Sequence, residues 1–134
     1  PTKYKDRFGR SVVVNFQIIG ILRNGQREDY FTENYANGVR TYIGQSEVFI
    51  PSGRHTYLIK YRTTRQLGYF ENHDELYFNA IGHGFIFPIN SGGVVIKLPA
   101  TIPRDKISAN GYSGEQNATA KDFKVNITTS GEIH

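Results

Sequence analysis

The feature that most narrows the folds open to this chain is a period-two alternation of apolar and polar residues, cut at short intervals by turn-forming dipeptides. From Ser11 to Leu22, Val12, Val14, Phe16, Ile18 and Leu22 fall on one face and Asn15 and Gln17 on the other. Successive side chains of a strand point to opposite faces, so this run reads as one long, half-buried core strand. Asn24-Gly25 follows. That dipeptide accepts the positive φ angles of a tight hairpin turn, which predicts a reversal into Glu28–Thr32. Asn37-Gly38 repeats the device before Val39–Ile43, and Pro51-Ser52-Gly53 turns the chain between Glu47–Ile50 and His55–Thr63.

The same alternation continues further on. In His55–Thr63, Tyr57, Ile59 and Tyr61 share a face while Lys60 and Arg62 point the other way on apolar stems. Glu75–Ile81 sets Leu76, Phe78 and Ala80 against Glu75, Tyr77 and Asn79. Gly92-Gly93 turns into Val94–Leu98, after which Pro99 and Pro103 stop pairing. An irregular stretch to Gln116 holds at most a short strand near Ile107, and Lys121–Thr129 closes the series with Phe123, Val125 and Ile127 inward. No amphipathic helix intervenes to make parallel crossovers. The expectation is therefore an all-β, antiparallel β-sandwich, immunoglobulin-like or jelly-roll-like, formed by residues 1–134 as a single domain.

Composition agrees with that class. The 9 Tyr and 9 Phe suit pleated surfaces, and the 14 Gly and 5 Pro supply turns. A chain of 134 residues fits one domain able to bury roughly two thirds of its unfolded surface. Its longest apolar runs, Val12–Val14 and Phe85–Phe87, are far short of the about 18 residues of a spanning helix. With 0 Cys, disulfide frameworks, cysteine nucleophiles and zinc ribbons are excluded. The 16 Lys and Arg against 12 Asp and Glu give +4, a mild bias toward anionic partners. Apart from Lys3, Lys5, Arg7 and Arg10 the basic residues are scattered, with no basic stripe interleaved with stacking aromatics, so no nucleic-acid partner is expected. The start, Pro1 rather than Met, reads as a cut boundary, which leaves room for a targeting segment upstream.

Several separated motifs occur together in a specific order. They are the stretch from Gly53 to Thr63, His73-Asp74-Glu75-Leu76-Tyr77-Phe78-Asn79, Gly82-His83-Gly84-Phe85, and Phe87-Pro88-Ile89. Pro1-Thr2 before Tyr4-Lys5-Asp6-Arg7, Asn37-Gly38-Val39-Arg40 and Tyr42-Ile43-Gly44 fit the same pattern. From Pro1 to about Leu98 the chain resembles the predicted membrane proteins grouped as domain of unknown function 2207. The resemblance implies a bacterial protein with an N-terminal signal segment, an extracytoplasmic β domain and membrane-spanning helices further on. It implies no reaction. The family usually carries Trp where this chain has Phe78 and Phe85, which loses an indole donor. The family's domain also extends upstream of Pro1, so the fold is expected to lack N-terminal strands and to leave a sheet edge open for edge-to-edge association of copies.

The densest polar cluster is Glu71-Asn72-His73-Asp74-Glu75. Carboxylates beside a His can do acid–base work or hold a metal, and Glu71, His73 and Glu75 would share a face if extended. Asn, His and Asp between Tyr69-Phe70 and Leu76 read first as a hairpin loop. His83 between Gly82 and Gly84 is either an exposed binding-loop imidazole or part of a tight turn, and the turn is favoured. No nucleophile elbow, phosphate loop or two-His metal spacing occurs. The aromatics Tyr57, Tyr61, Tyr69, Phe70, Tyr77, Phe78, Phe85 and Phe87 read first as core and cross-strand pairs, and second as a platform for sugar rings.

The functional expectation is a noncatalytic extracytoplasmic interaction or ligand-sensing module with no cofactor. Its candidate binding surface is His73, Asp74, Glu75, Tyr77, Asn79, His83 and Phe85, and its partner a protein or cell-envelope component. The alternatives are a cell-envelope hydrolase or metal-dependent enzyme centred on Glu71, His73, Asp74, Glu75 and His83, and a glycan-binding module. An enzyme requires His73 or His83 within hydrogen-bond reach of a carboxylate inside a concave pocket.

Overall fold

The structure, a computed structural model, describes residues 3–6, 8–82, 86–98, 102–112, 124–128 and 133–134. The chain divides into two compact units, Pro1–Phe78 and Asn79–His134. All named strands lie in the first: β1 (Lys3–Lys5), β2 (Ser11–Val13), β3 (Phe16–Arg23), β4 (Gln26–Arg27), β5 (Tyr30–Tyr35), β6 (Gly38–Ile43), β7 (Tyr57–Thr63), β8 (Leu67–Tyr69) and β9 (Asp74–Leu76). Every pairing is antiparallel: ribbons β1-β2, β5-β6 and β8-β9, and a three-stranded sheet in the order β4-β3-β7. The protein is all-β, as the alternation predicts. Stacking of sheets into a sandwich goes beyond these pairings.

The run from Ser11 to Leu22 is two strands rather than one. Its halves take different partners, β1 and β7, and the ladder breaks where the Asn15 N–H turns to the Thr64 hydroxyl at 3.2 Å. The turn from β1 to β2 is braced by Asp6, whose Oδ1 accepts from the N–H groups of Phe8 and Arg10 at 2.9 Å. Burial pushes the Asp6 carboxyl up, but these bonds and the Arg10 guanidinium outweigh it and hold the group below its ordinary range.

A bulge in β3 decides which residues form the core. Ile18 pairs with Tyr61 but Gly20 pairs with Lys60, so Ile19 is extra. One extra residue moves every later side chain to the other face. Ile21, opposite Ile59, therefore shares a face with Phe16, Ile18 and Tyr61, and Leu22, opposite Leu58, does not. This corrects the simple alternation, which places Leu22 with Phe16 and Ile18. Ile21 is 1% exposed and Val14 6%, and these are the buried apolar residues among those described. The Phe16 and Tyr61 rings lie 5.3 Å apart on that face.

The Asn24-Gly25 turn forms as expected, with φ of 52° and 84° at its two central residues. It returns the chain only into β4, and an Arg23–Glu28 ion pair closes its base. The chain then leaves the sheet to build the β5-β6 ribbon around a two-residue loop, Ala36-Asn37. Glu47–Ile50, expected as a strand, is a turn followed by irregular backbone. The strand expected over Glu75–Ile81 is β9 at its start only, and its partner is β8, a short strand around Gly68.

In the second unit the expected Val94–Leu98 strand is reduced to one bridge, Ile96 to Ile133. The backbones of Ile96 and Ile133 exchange hydrogen bonds at 2.8 and 3.0 Å, and Asn126 and His134 exchange theirs at 2.9 and 2.8 Å. Of Lys121–Thr129, only Ile127 forms a bridge among the described residues, again to Ile133, while Phe123 lies outside them. Near Ile107 the chain makes a 3-10 turn at Arg104–Lys106 before Ile107 extends.

Candidate functional site

The β5-β6 ribbon presents two chemically different faces. Its register pairs Phe31 with Tyr42 and Glu33 with Arg40, which puts these four and Tyr35 on one side. Tyr30, Thr32, Asn34 and Val39 take the other, where with Phe16 and Ile18 of β3 they line a concavity of about 260 Å³. The first side is the more exposed, with Phe31 at 54%, Tyr35 at 50% and Tyr42 at 36%.

On that side the side chains are ordered by one another. The Phe31 and Tyr42 rings stack, centroids 4.7 Å apart and planes at 10°. The hydroxyls of Tyr35 and Tyr42 both donate to Oε2 of Glu33 at 3.1 Å. The Arg40 guanidinium carbon lies 5.1 Å from the Tyr35 ring centroid, within cation–π range. Hydrogen bonding with Tyr42, then with Glu33, raises the Tyr35 phenol above its ordinary value, so it stays protonated. The Arg40 guanidinium is likewise held in its charged form, first by Tyr42 and then by Tyr35. The result is a flat aromatic strip carrying a carboxylate and a guanidinium. Such a strip offers ring faces for stacking and charged groups for hydrogen bonding.

The residues singled out from the sequence are placed differently. Residues 70–73 form the β8-β9 hairpin loop, closed by a hydrogen bond from the Phe70 N–H to the His73 carbonyl at 2.9 Å. His73 stacks on Phe70 at 4.8 Å, its Nδ1 lies 2.8 Å from Asn72 Oδ1, and its Nε2 is 3.7 Å from Glu75 Oε2. Gly68 makes room for this: a Cβ there would stand 2.9 Å from the Phe70 ring. Both side chains of the His73–Glu75 pair are half exposed, and 3.7 Å is ion-pair rather than hydrogen-bond distance. Glu71 sits in the loop, Asp74 opens β9 opposite Tyr69, and Tyr77 follows β9 with 68% exposure. Asn79 belongs to the second unit, and His83 and Phe85 lie outside the described residues. The structure thus brings His73 and Glu75 together at an exposed hairpin tip. No group of three His, Asp or Glu residues is placed to hold a metal among the described residues.

Of the aromatics read as core, those among the described residues are not buried. Tyr57, Tyr61, Phe70 and Phe78 are 40–45% exposed and Tyr69, Tyr77 and Phe87 more so. The residues that sequence reasoning passed over are Phe31, Glu33, Tyr35, Arg40 and Tyr42. Their signal was present: with Ala36-Asn37 as a two-residue loop, counting outward pairs Glu33 with Arg40 and Phe31 with Tyr42.

One family, described as "Predicted membrane protein (DUF2207) N-terminal domain", has a model that matches residues 1–132. No curated protein and no solved structure matches the chain.

Proposed function

We propose, for a chain that belongs to the DUF2207 family of predicted membrane proteins through their N-terminal domain, that it is a noncatalytic binding module held outside the cytoplasm. The observation that carries this reading is the outward face of the β5-β6 ribbon. There three aromatic rings, one carboxylate and one guanidinium are ordered by mutual contacts yet remain exposed. Ordering aromatic side chains before a partner arrives lowers the entropy lost on binding, which is how rigid aromatic anchors strengthen an interface. The partner that suits such a strip is a cell-envelope protein or glycan of a bacterium.

A photocrosslinking amino acid in place of Phe31, in the full-length protein in living cells, tests this. The control is the same group at Tyr69, 66% exposed on β8. A discrete crosslinked species from position 31, absent from position 69 and lost when Glu33→Gln and Arg40→Ala are added, is expected. The same products from both positions would overturn it.

A further inference from the structure

The β6-β7 connection is tied down at both ends and apolar at its tip. At one end the Gly44 N–H donates to the Asp29 carbonyl at 2.7 Å, and the Gln45 amide donates to the Asp29 carboxylate. At the other, the Asn24 N–H donates to the Thr56 carbonyl at 2.8 Å and the Thr56 N–H donates to Asn24 Oδ1 at 2.9 Å. His55 Nε2 adds a contact to the Pro51 carbonyl at 2.8 Å. Between these ends Val48, Phe49 and Ile50 are 57%, 92% and 41% exposed, and none of them lies in a strand.

Connecting segments with exposed tips are normally polar, because exposed apolar side chains gain nothing from water. Three consecutive large apolar residues on a braced loop are suited to entering an apolar surface. Membership of a membrane-protein family supplies one, since a bilayer lies within reach of the full-length protein. The dimensions suit it: three residues span about 10 Å when extended, comparable to the depth to which interfacial apolar groups sink. Polar residues bound the tip on both sides, Ser46-Glu47 before it and Ser52 after it. Glu47 and Arg54 balance locally, so entry depends on apolar burial, to which the chain's +4 adds a general attraction to anionic lipid.

We propose that Val48-Phe49-Ile50 is an insertion tip that enters the lipid interface of the membrane carrying the protein. The chain contains 0 Trp, so Phe49→Trp creates a sole indole reporter at the tip. The purified chain is mixed with phosphatidylcholine vesicles, with and without phosphatidylglycerol, and with matched vesicles of bromine-substituted acyl chains. The expected result is a blue shift of the indole emission and quenching by the brominated lipid. Adding Val48→Ser and Ile50→Ser should weaken partitioning at least about tenfold, from the apolar area removed. A Tyr69→Trp chain serves as control and stays unshifted. Emission from position 49 that remains water-like at saturating lipid overturns the proposal, as does equal quenching at position 69. A blue shift that grows with protein concentration without lipid would instead make the tip a contact between copies.

Discussion

At the scale of single residues, the outward ribbon face is a set of mutual dependencies. Glu33 accepts from two tyrosines through one oxygen, and Tyr42 contributes both to the stack with Phe31 and to the raised titration of Tyr35. A phenol whose titration is raised by folding stabilises the fold fully below the unfolded value of 10.0, and that contribution fades as the pH climbs through the higher folded value. Tyr42→Phe removes the hydroxyl that does most to raise the Tyr35 titration. Tyrosine-selective NMR of the variant should show Tyr35 titrating closer to 10.0, with the alkaline loss of stability beginning at lower pH. An unchanged Tyr35 titration would mean that the hydroxyls do not act as a set. None of this is visible from residue types alone, because exposed tyrosines and buried ones share the same sequence pattern.

At the scale of elements, faces are legible in the sequence as far as a bulge, and the bulge itself is not. The face of Tyr57, Ile59 and Tyr61 and the Asn24-Gly25 reversal follow directly from period-two spacing and turn chemistry. The bulge at Ile19 does not, because an extra residue leaves the composition of the run unchanged while reversing the sense of all that follows. Glu47–Ile50 misleads for a related reason: three apolar residues beside a turn look like a short strand, but among the described residues no partner strand pairs with them. The bulge makes a specific demand on stability. Ile21→Ala should cost about 3 kcal/mol, the usual toll of a cavity at a fully buried position, whereas Leu22→Ala should cost less than half of that. Chemical denaturation of the two variants decides the matter, and the reverse order would restore the unbulged alternation.

At the scale of the whole molecule, the family match over residues 1–132 states that the chain is the N-terminal domain of a predicted membrane protein, and the fold supplies an all-β body with exposed aromatic and apolar surface. The resemblance was readable in separated sequence motifs, whereas the surface that best suits binding emerges only when the β5-β6 register is counted out from its loop, since it is created by cross-strand neighbours rather than by a contiguous motif. The His73 cluster stands out because its residues adjoin in sequence, and the structure resolves it into a half-exposed imidazole–carboxylate contact at 3.7 Å on a hairpin. The central claim is that these surfaces work outside the cytoplasm. The 0 Cys of this chain allow a direct measurement: Ser91→Cys, at an exposed position outside the strands and away from the Val48-Phe49-Ile50 tip, in a full-length protein with other cysteines replaced. A membrane-impermeant maleimide applied to osmotically intact spheroplasts should label position 91 as fully as it does after permeabilisation. Labelling that occurs only after permeabilisation would place the domain in the cytoplasm and contradict the account.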